Sequence, residues 1–385
     1  MSTLLNALTA DQEHMKTWRH HLHRHPELAF DEHQTASYIA QLLRSWGYTV
    51  TEGIGKTGVV ASLTVGTSQK AIGLRADTDA LPVQEAVESD HKSTVAGKSH
   101  TCGHDGHSAM LLGAAHYLAR TQAFNGTVHL IFQPAEEIMG GAPAMIKDGL
   151  FERFPMDAIF GMHNMPTLER GKLYFTTGPV MAAVDNWEIV LTGLGSHGSM
   201  PEKSVDPVVA GASLVMALQT IVSRNVGAKD SAVVTVGAFL AGDAGNVIPQ
   251  QAVLRLSTRT SKPETRKLVL DKIRAITAAQ AQAFGVSVEI IEGQPGAVLV
   301  NDVAQTETCA QIARDLLGDE QVVVPGPTFM GSEDFAFYAQ HKPGTYCFIG
   351  NGNTPMVHHP MYEFDDQNLP VGAAYWVAVA QHYLK

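Results

Sequence analysis

The chain has 385 residues, enough for about two to three domains, and its 45% hydrophobic and 17% charged residues exclude disordered, collagenous and coiled-coil classes. Its net charge of −11 argues against nucleic acid or an anionic membrane surface as partner, since both need clustered lysine and arginine. The three cysteines, Cys102, Cys309 and Cys347, are too few and odd in number for a disulfide framework, so a reducing compartment is expected.

In chain order, the first residues show no basic stretch leading into a long apolar one. No window is read as reaching the roughly 18 apolar residues of a membrane span, and the expected location is cytoplasmic. Apolar positions from Thr35 to Trp46 recur at helical spacing, and Gly47 closes that segment. Strands are predicted at VVASLTV, AIGLRA, TVHLIFQ and DAIFGM, alternating with helices at DGHSAMLLGAAHYLAR and GAPAMIKDGL. Such alternation implies an α/β unit with a mainly parallel sheet. From residue 183 to 295 the order becomes strand, helix, strand, strand, helix, strand, the ferredoxin-like βαββαβ arrangement. The α/β pattern then resumes and ends in the helix NLPVGAAYWVAVAQHYL. The expected organisation is a discontinuous catalytic domain, residues 1–182 and 296–385, with an inserted lid or dimerisation domain at 183–295.

Some motif-like strings carry nothing. Gly53, Gly55 and Gly58 fit G-x-G-x-x-G but lead into a strand, so the helix N-terminus that would receive a phosphate is missing. Gly55-Lys56-Thr57 lacks the upstream glycine of a P-loop, and GSHG around Ser196 lacks the first glycine of a nucleophile elbow. What remains is a set of metal-ligating side chains, each where a strand is expected to end: Cys102 and His104 in HTCGHDGH, Glu136 and Glu137 in QPAEE, His163 in GMHNMP, and His358 or His359 in MVHHP. Open α/β sheets bind ligands at the carboxyl ends of their strands, and thiolate, imidazole and carboxylate together make a zinc-like donor set. Adjacent glutamates point apart, so one can bind metal while the other serves a water as base. Asp77 and Asp79 in RADTDALP are placed to hold a ligating imidazole through its second nitrogen. His107 and His116 fall outside the ligand set, and the cluster His20, His21, His23 and His25 reads as a helix end that needs only solvent. Two other readings stay open on the residues: a cysteine hydrolase with Cys102 as nucleophile, and a non-catalytic metal-stabilised binding protein.

RADTDALP, HTCGHDGH, QPAEE, GMHNMP, GSHGSMP, GNVIP, GSEDF and the late HHP, in this order, resemble the amidohydrolase branch of the co-catalytic metallopeptidases. That branch includes hippurate hydrolase, N-acyl-amino-acid and N-acetyl-diaminopimelate deacetylases, and hydrolases of indole-acetyl amino acids. The resemblance implies two divalent ions per subunit, zinc first and manganese, cobalt or nickel as alternatives. Cys102 would be a shared ligand, with His104, Glu137, His163 and His358 completing the set, and Glu136 would be the general base. It further implies that His197 helps to hold the carbonyl oxygen, that Asn246 and Arg259 contact the substrate, and that Asp77 belongs to the catalytic group. A homodimer through the inserted domain follows in the same way. The activity implied is hydrolysis of the amide in a small N-acyl amino acid, with a dipeptidase or carboxypeptidase of the same family as the alternative.

Overall fold

In a computed structural model, which describes residues 2–385, the chain divides into two compact units. One takes the chain up to Val180 with Val300–Thr328 and Asp334–Lys385; the other is Met181–Leu299 with Phe329–Glu333. The second unit thus runs a few residues beyond 183–295 at each end and gains a short piece from later in the chain. That piece is tied in because the Ala182 N–H donates to the carbonyls of Phe329 and Gly331.

The first unit is built on an eight-stranded sheet in the order Thr49–Ile54, Gly58–Val65, Gly126–Gln133, Ala71–Asp77, Ala158–Met165, Gly344–Gly350, Leu173–Tyr174, Val322–Val323. The four central strands run parallel, and antiparallel pairings are added towards the edges. Ala71–Asp77, Ala158–Met165 and Gly344–Gly350 are buried at every residue, which is why they read as largely apolar runs without alternation. Helices His104–Thr121 and Leu369–Tyr383 share the main core with this sheet through Ala109, Met110, Leu112, Ala373 and Trp376. Because the neighbouring strands are parallel, Asp77, Gln133 and Met165 all finish at one edge, and the segments that follow them meet there.

Two helices that the periodicity does not reveal, Thr3–Ala10 and Gln12–Arg24, precede the helix His33–Ser45. The latter begins ahead of Thr35 because the Glu27 carboxylate accepts from the amides of Gln34 and Thr35. The helix Gln12–Arg24 also corrects the reading of the N-terminal histidines as solvated. It packs on the helix His104–Thr121, so His23 is buried, with Nδ1 2.8 Å from Asp105 and Nε2 3.1 Å from Glu85. His20 bonds Asp366, and the fully buried Arg19 lies 2.9 Å from the same carboxylate.

The second unit is a four-stranded antiparallel sheet in the order Ala232–Leu240, Gln251–Thr260, Ala183–Thr192, Ser287–Glu292, with helices Pro207–Arg224 and Pro263–Phe284. Its own core joins Trp187, Ile189 and Leu191 to Leu214, Leu218, Ile221, Val269 and Ile273. Asp206 caps the first helix by accepting from the amides of Val208 and Val209, with Pro207 at its first position. Contrary to the expectation from the sequence, this helix is long and apolar enough to cross a membrane. Ala210, Leu214, Leu218 and Ile221 instead face the sheet as core residues.

Burial opposes a charge on His23, but Asp105 and Glu85 outweigh it and hold the imidazole up to about 9. A pKa raised from 6.5 in the unfolded chain makes this contribution complete below pH 6.5 and lost as the pH rises through about 9. Chemical denaturation should therefore find His23→Gln less stable than the parent protein at pH 6. The difference should narrow by on the order of 3 kcal/mol by pH 9.5. A pH-independent difference would show that the buried imidazole is not charged.

Candidate active site

The strand Ala71–Asp77 ends in a buried acidic turn whose two aspartates have different partners. Asp77 accepts at Oδ1 from His107 Nδ1 at 2.6 Å and at Oδ2 from Arg75 at 2.7 Å. Asp79 Oδ1 lies 3.2 Å from His104 Nδ1, and its Oδ2 accepts from the Glu137 amide at 3.0 Å. The imidazole that Asp77 holds is thus His107, not a predicted ligand, while Asp79 holds His104. Arg75, on the same face of the strand two residues earlier, donates to the second oxygen of Asp77, which lies 3.9 Å from His104 Nε2. His107 Nε2 in turn accepts from the Asn164 amide at 2.9 Å, which uses up that ring.

With Nδ1 committed to Asp79, His104 presents Nε2 to the site. There it lies 3.8 Å from Glu137 Oε1, and both atoms are buried without a hydrogen-bond partner among the described residues. His163 donates from Nδ1 to the Asn164 carbonyl and turns Nε2 to within 3.5 Å of Cys102 Sγ. His358 Nε2 lies 3.4 Å from Glu137 Oε2. Cys102, His104 and His163 form one group of converging donors, Cys102, Glu137 and His358 a second, and Cys102 belongs to both. Two donors about 2.0–2.3 Å from one ion at near-tetrahedral angles lie roughly 3.4–3.6 Å apart, so the residues present fit a pair of divalent cations. His359 is in neither group; its Nδ1 accepts from the Met361 amide.

The electrostatics of Cys102 and His163 agree with that fit, while His104 must give up a proton to ligate. Burial, reinforced by Glu137, Glu136 and Asp77, pushes the Cys102 thiol well above its ordinary value, so a thiolate needs a cation beside it. The same shift counts against the cysteine-hydrolase reading, which requires an activated thiolate. Burial and the neighbouring His107 hold His163 well below 6.5, neutral and ready to ligate. Burial opposes charge on His104, yet Asp77, Asp79 and Glu137 raise it to about 10. For Asp77, burial is outweighed by His104, His107 and Arg75, which keep its carboxyl well below the usual range.

Glu136 is buried and shares a group with His104 and Glu137. The segment that carries both glutamates is tied to the acidic turn through Asp79 and to GSEDF through Asp334, whose Oδ2 accepts from the Ala142 amide at 2.9 Å. Asp334 Oδ1 accepts from Arg75 and Gln133, so Asp334 has a structural part that the sequence did not disclose. No local motif signalled it, because its partners lie about 200 and 260 residues earlier. In the second unit, His197 is exposed on the short strand Ser196–His197 opposite Val247, and the Gly198 amide donates to the Asn246 carbonyl, so His197 and Asn246 lie close together. Arg259 is half-buried with its guanidinium 3.2 Å from Ser332 Oγ.

Residues 73–382 match the model of Peptidase family M20/M25/M40, and the chain belongs to that family. It is similar to hippurate hydrolase of Campylobacter jejuni, with 46% identity over 95% of this chain and 96% of that one. It is also similar to N-acetyl-L-cysteine deacetylase of Bacillus subtilis, with 38% identity over 93% and 85% of the two chains. An IAA-amino acid hydrolase of Arabidopsis thaliana is 39% identical over 95% and 84%. Among solved structures, the YXEP protein of Bacillus subtilis, a dinuclear metal-binding peptidase of the M20 family, is 34% identical with a TM-score of 0.84 over 98% and 99% of the two chains. A chain from methicillin-resistant Staphylococcus aureus is 33% identical with a TM-score of 0.94 over 99% of both. The protein is a metal-dependent amidohydrolase of this family.

Asp79→Asn should weaken metal binding by about 10–100-fold, since it removes the carboxylate that orients His104 and anchors the Glu137 amide. Isothermal titration of metal-stripped protein measures this. Parent-like affinity would mean that Asp79 does not organise the ligands.

Proposed function

We propose that the protein cleaves the amide bond of N-acyl amino acids with Glu136 as general base. The observation that carries this is the division of labour between adjacent glutamates. Glu137 points both carboxylate oxygens at candidate ligands, His104 and His358, while Glu136 lies beside the same groups without completing either Cys102-centred set. The curated relatives named for hippurate, N-acetyl-L-cysteine and indole-acetyl amino acid substrates support an N-acyl amino acid over a longer peptide.

Cys102, His104, Glu137, His163 and His358 would hold two divalent cations, whose chemistry is to bring a water's pKa towards neutrality and to polarise the scissile carbonyl. Zinc suits the thiolate of Cys102 best, with manganese, cobalt or nickel as the alternatives that imidazole and carboxylate accept. Glu136 takes the proton of the attacking water as the C–O bond forms, then delivers it to the amine nitrogen as the C–N bond breaks. Asp77 and Asp79 keep His107 and His104 in fixed tautomers throughout. His197 and Asn246 are assigned to the substrate's carbonyl, and Arg259 to its carboxylate, where a guanidinium gives two parallel donors.

A homodimer through the second unit belongs to the same proposal. Its edge strand Ala232–Leu240 leaves Val233 and Leu240 exposed, and the helix Pro207–Arg224 has no charged side chain before Arg224 while exposing Val209 at 53% and Met216 at 71%. An unpaired strand edge beside an uncharged apolar helix face is a surface that a second copy would cover. Three buried free cysteines suit a reducing compartment, in keeping with a cytoplasmic location.

Release of amine from N-acetyl, N-benzoyl and N-indoleacetyl amino acids should be abolished by chelation and restored by metal. Glu136→Gln should retain metal and lose about 10²–10⁴-fold in kcat. Turnover by that variant near the parent's rate would remove Glu136 as base. In sedimentation experiments, Met216→Glu should shift the protein from dimer to monomer; an unshifted dimer would place the interface elsewhere.

A further inference from the structure

The segment from Pro134 to Gly141 that carries Glu136 is held in a conformation it would not adopt alone. Ala135 has φ +53° and Met139 φ +57°, the left-handed region that residues with a Cβ occupy only when their surroundings fix them. The Ala135 carbonyl accepts from the amides of Gly140 and Gly141, and a Cβ on Gly141 would fall 1.6 Å from the Pro134 carbonyl oxygen, so the turn closes tightly on itself. That closure leaves the Ala135 N–H pointing inward, one residue before Glu136.

Its acceptor is Glu32, 103 residues earlier in the chain. Glu32 stands immediately before the helix His33–Ser45, where an acidic side chain commonly caps the first turn, yet it makes no capping bond. The carboxylate is fully buried instead: Oε1 accepts from the Ala135 amide at 2.9 Å and Oε2 from Thr57 Oγ1 at 2.5 Å. Thr57 lies in the turn between strands Thr49–Ile54 and Gly58–Val65, so the carboxylate is fixed on both sides. Glu32 belongs to none of the converging donor groups. A buried carboxylate is costly unless its partners need it, and here the partner is the backbone that aims the base.

We propose that Glu32 is a positioning residue for Glu136, fixing the strained Ala135 peptide and with it the direction of the base. This rests on the reading of Glu136 as base. Small displacements of a catalytic group have large effects on rate, whereas substrate binding and metal loading draw on other side chains.

The test compares Glu32→Ala, Glu32→Gln and Glu136→Gln in kcat and KM for N-benzoylglycine, metal per chain, thermal midpoint and hydrogen exchange at the Ala135 amide. Glu32→Ala should lower kcat by about 10–100-fold, leave KM within about twofold, keep its metal and speed exchange at Ala135. Glu32→Gln should recover most of kcat, because its amide oxygen still accepts from Ala135. Parent-like kcat in Glu32→Ala beside an inactive Glu136→Gln overturns the inference while leaving the base intact. A loss of kcat that follows loss of metal, or that glutamine does not relieve, overturns it too. Turnover by Glu136→Gln would instead sink the base reading. Should Glu32→Ala not fold, Thr57→Val takes its place, with a smaller fall in kcat at constant KM expected and an unchanged kcat counting against the inference.

Discussion

Desolvated charge is the constraint around which the first unit is organised. Asp77, Asp79, Glu136 and Asp334 are buried, and each would be expensive to ionise there unless cations or hydrogen-bond donors surrounded it. Arg75 answers part of the demand by bridging Asp77 and Asp334, and His107 and the loop amides answer more. What stays unanswered is the gap between His104 Nε2 and Glu137 Oε1, with a thiol beside it that burial keeps protonated. A divalent cation held by these donors would take the place of the protons that His104 and the thiol otherwise keep.

The sheet makes the arrangement possible. Parallel strands deliver acidic turn, glutamate pair and histidine to one edge, although some 90 residues separate Asp77 from Met165 along the chain. The surrounding shell then fixes direction: Asp79 and the Asn164 carbonyl choose which nitrogen His104 and His163 present. Glu32, Asp79 and Asp334 do the same for the backbone, each accepting one amide of the segment 135–142. A loop clamped in this way, carrying Glu136 and Glu137, has little freedom to lose on binding, which is the condition for efficient positioning.

Much of this was legible in the sequence because strand ends announce themselves. Buried parallel strands read as apolar runs, and the polar residues at their ends stand out: RADTDALP, QPAEE and GMHNMP were visible for that reason, whereas Cys102 and His104, also expected at a strand end, sit where the helix His104–Thr121 begins, about 25 residues after the strand Ala71–Asp77. The βαββαβ unit was legible too, since its strands alternate and its helices keep helical spacing. The long-range pairings were not. Asp77 and Asp79 look equivalent in sequence, and nothing local tells that Asp79 takes His104 while Asp77 takes His107 and Arg75. The N-terminal histidines look solvated until the helix Gln12–Arg24 packs and buries His23 against Asp105. Glu32 gives no local sign at all, because its meaning lies in an amide more than a hundred residues away.

The most direct test of the account is a zinc titration of chelator-stripped protein in which bound metal and amine release from N-benzoylglycine are followed together. The account predicts saturation at two ions per chain, no turnover in the stripped protein, and full turnover only as the second ion binds at the donors that share Cys102. Saturation at a single ion, or release of amine from protein shown to be free of metal, would contradict it.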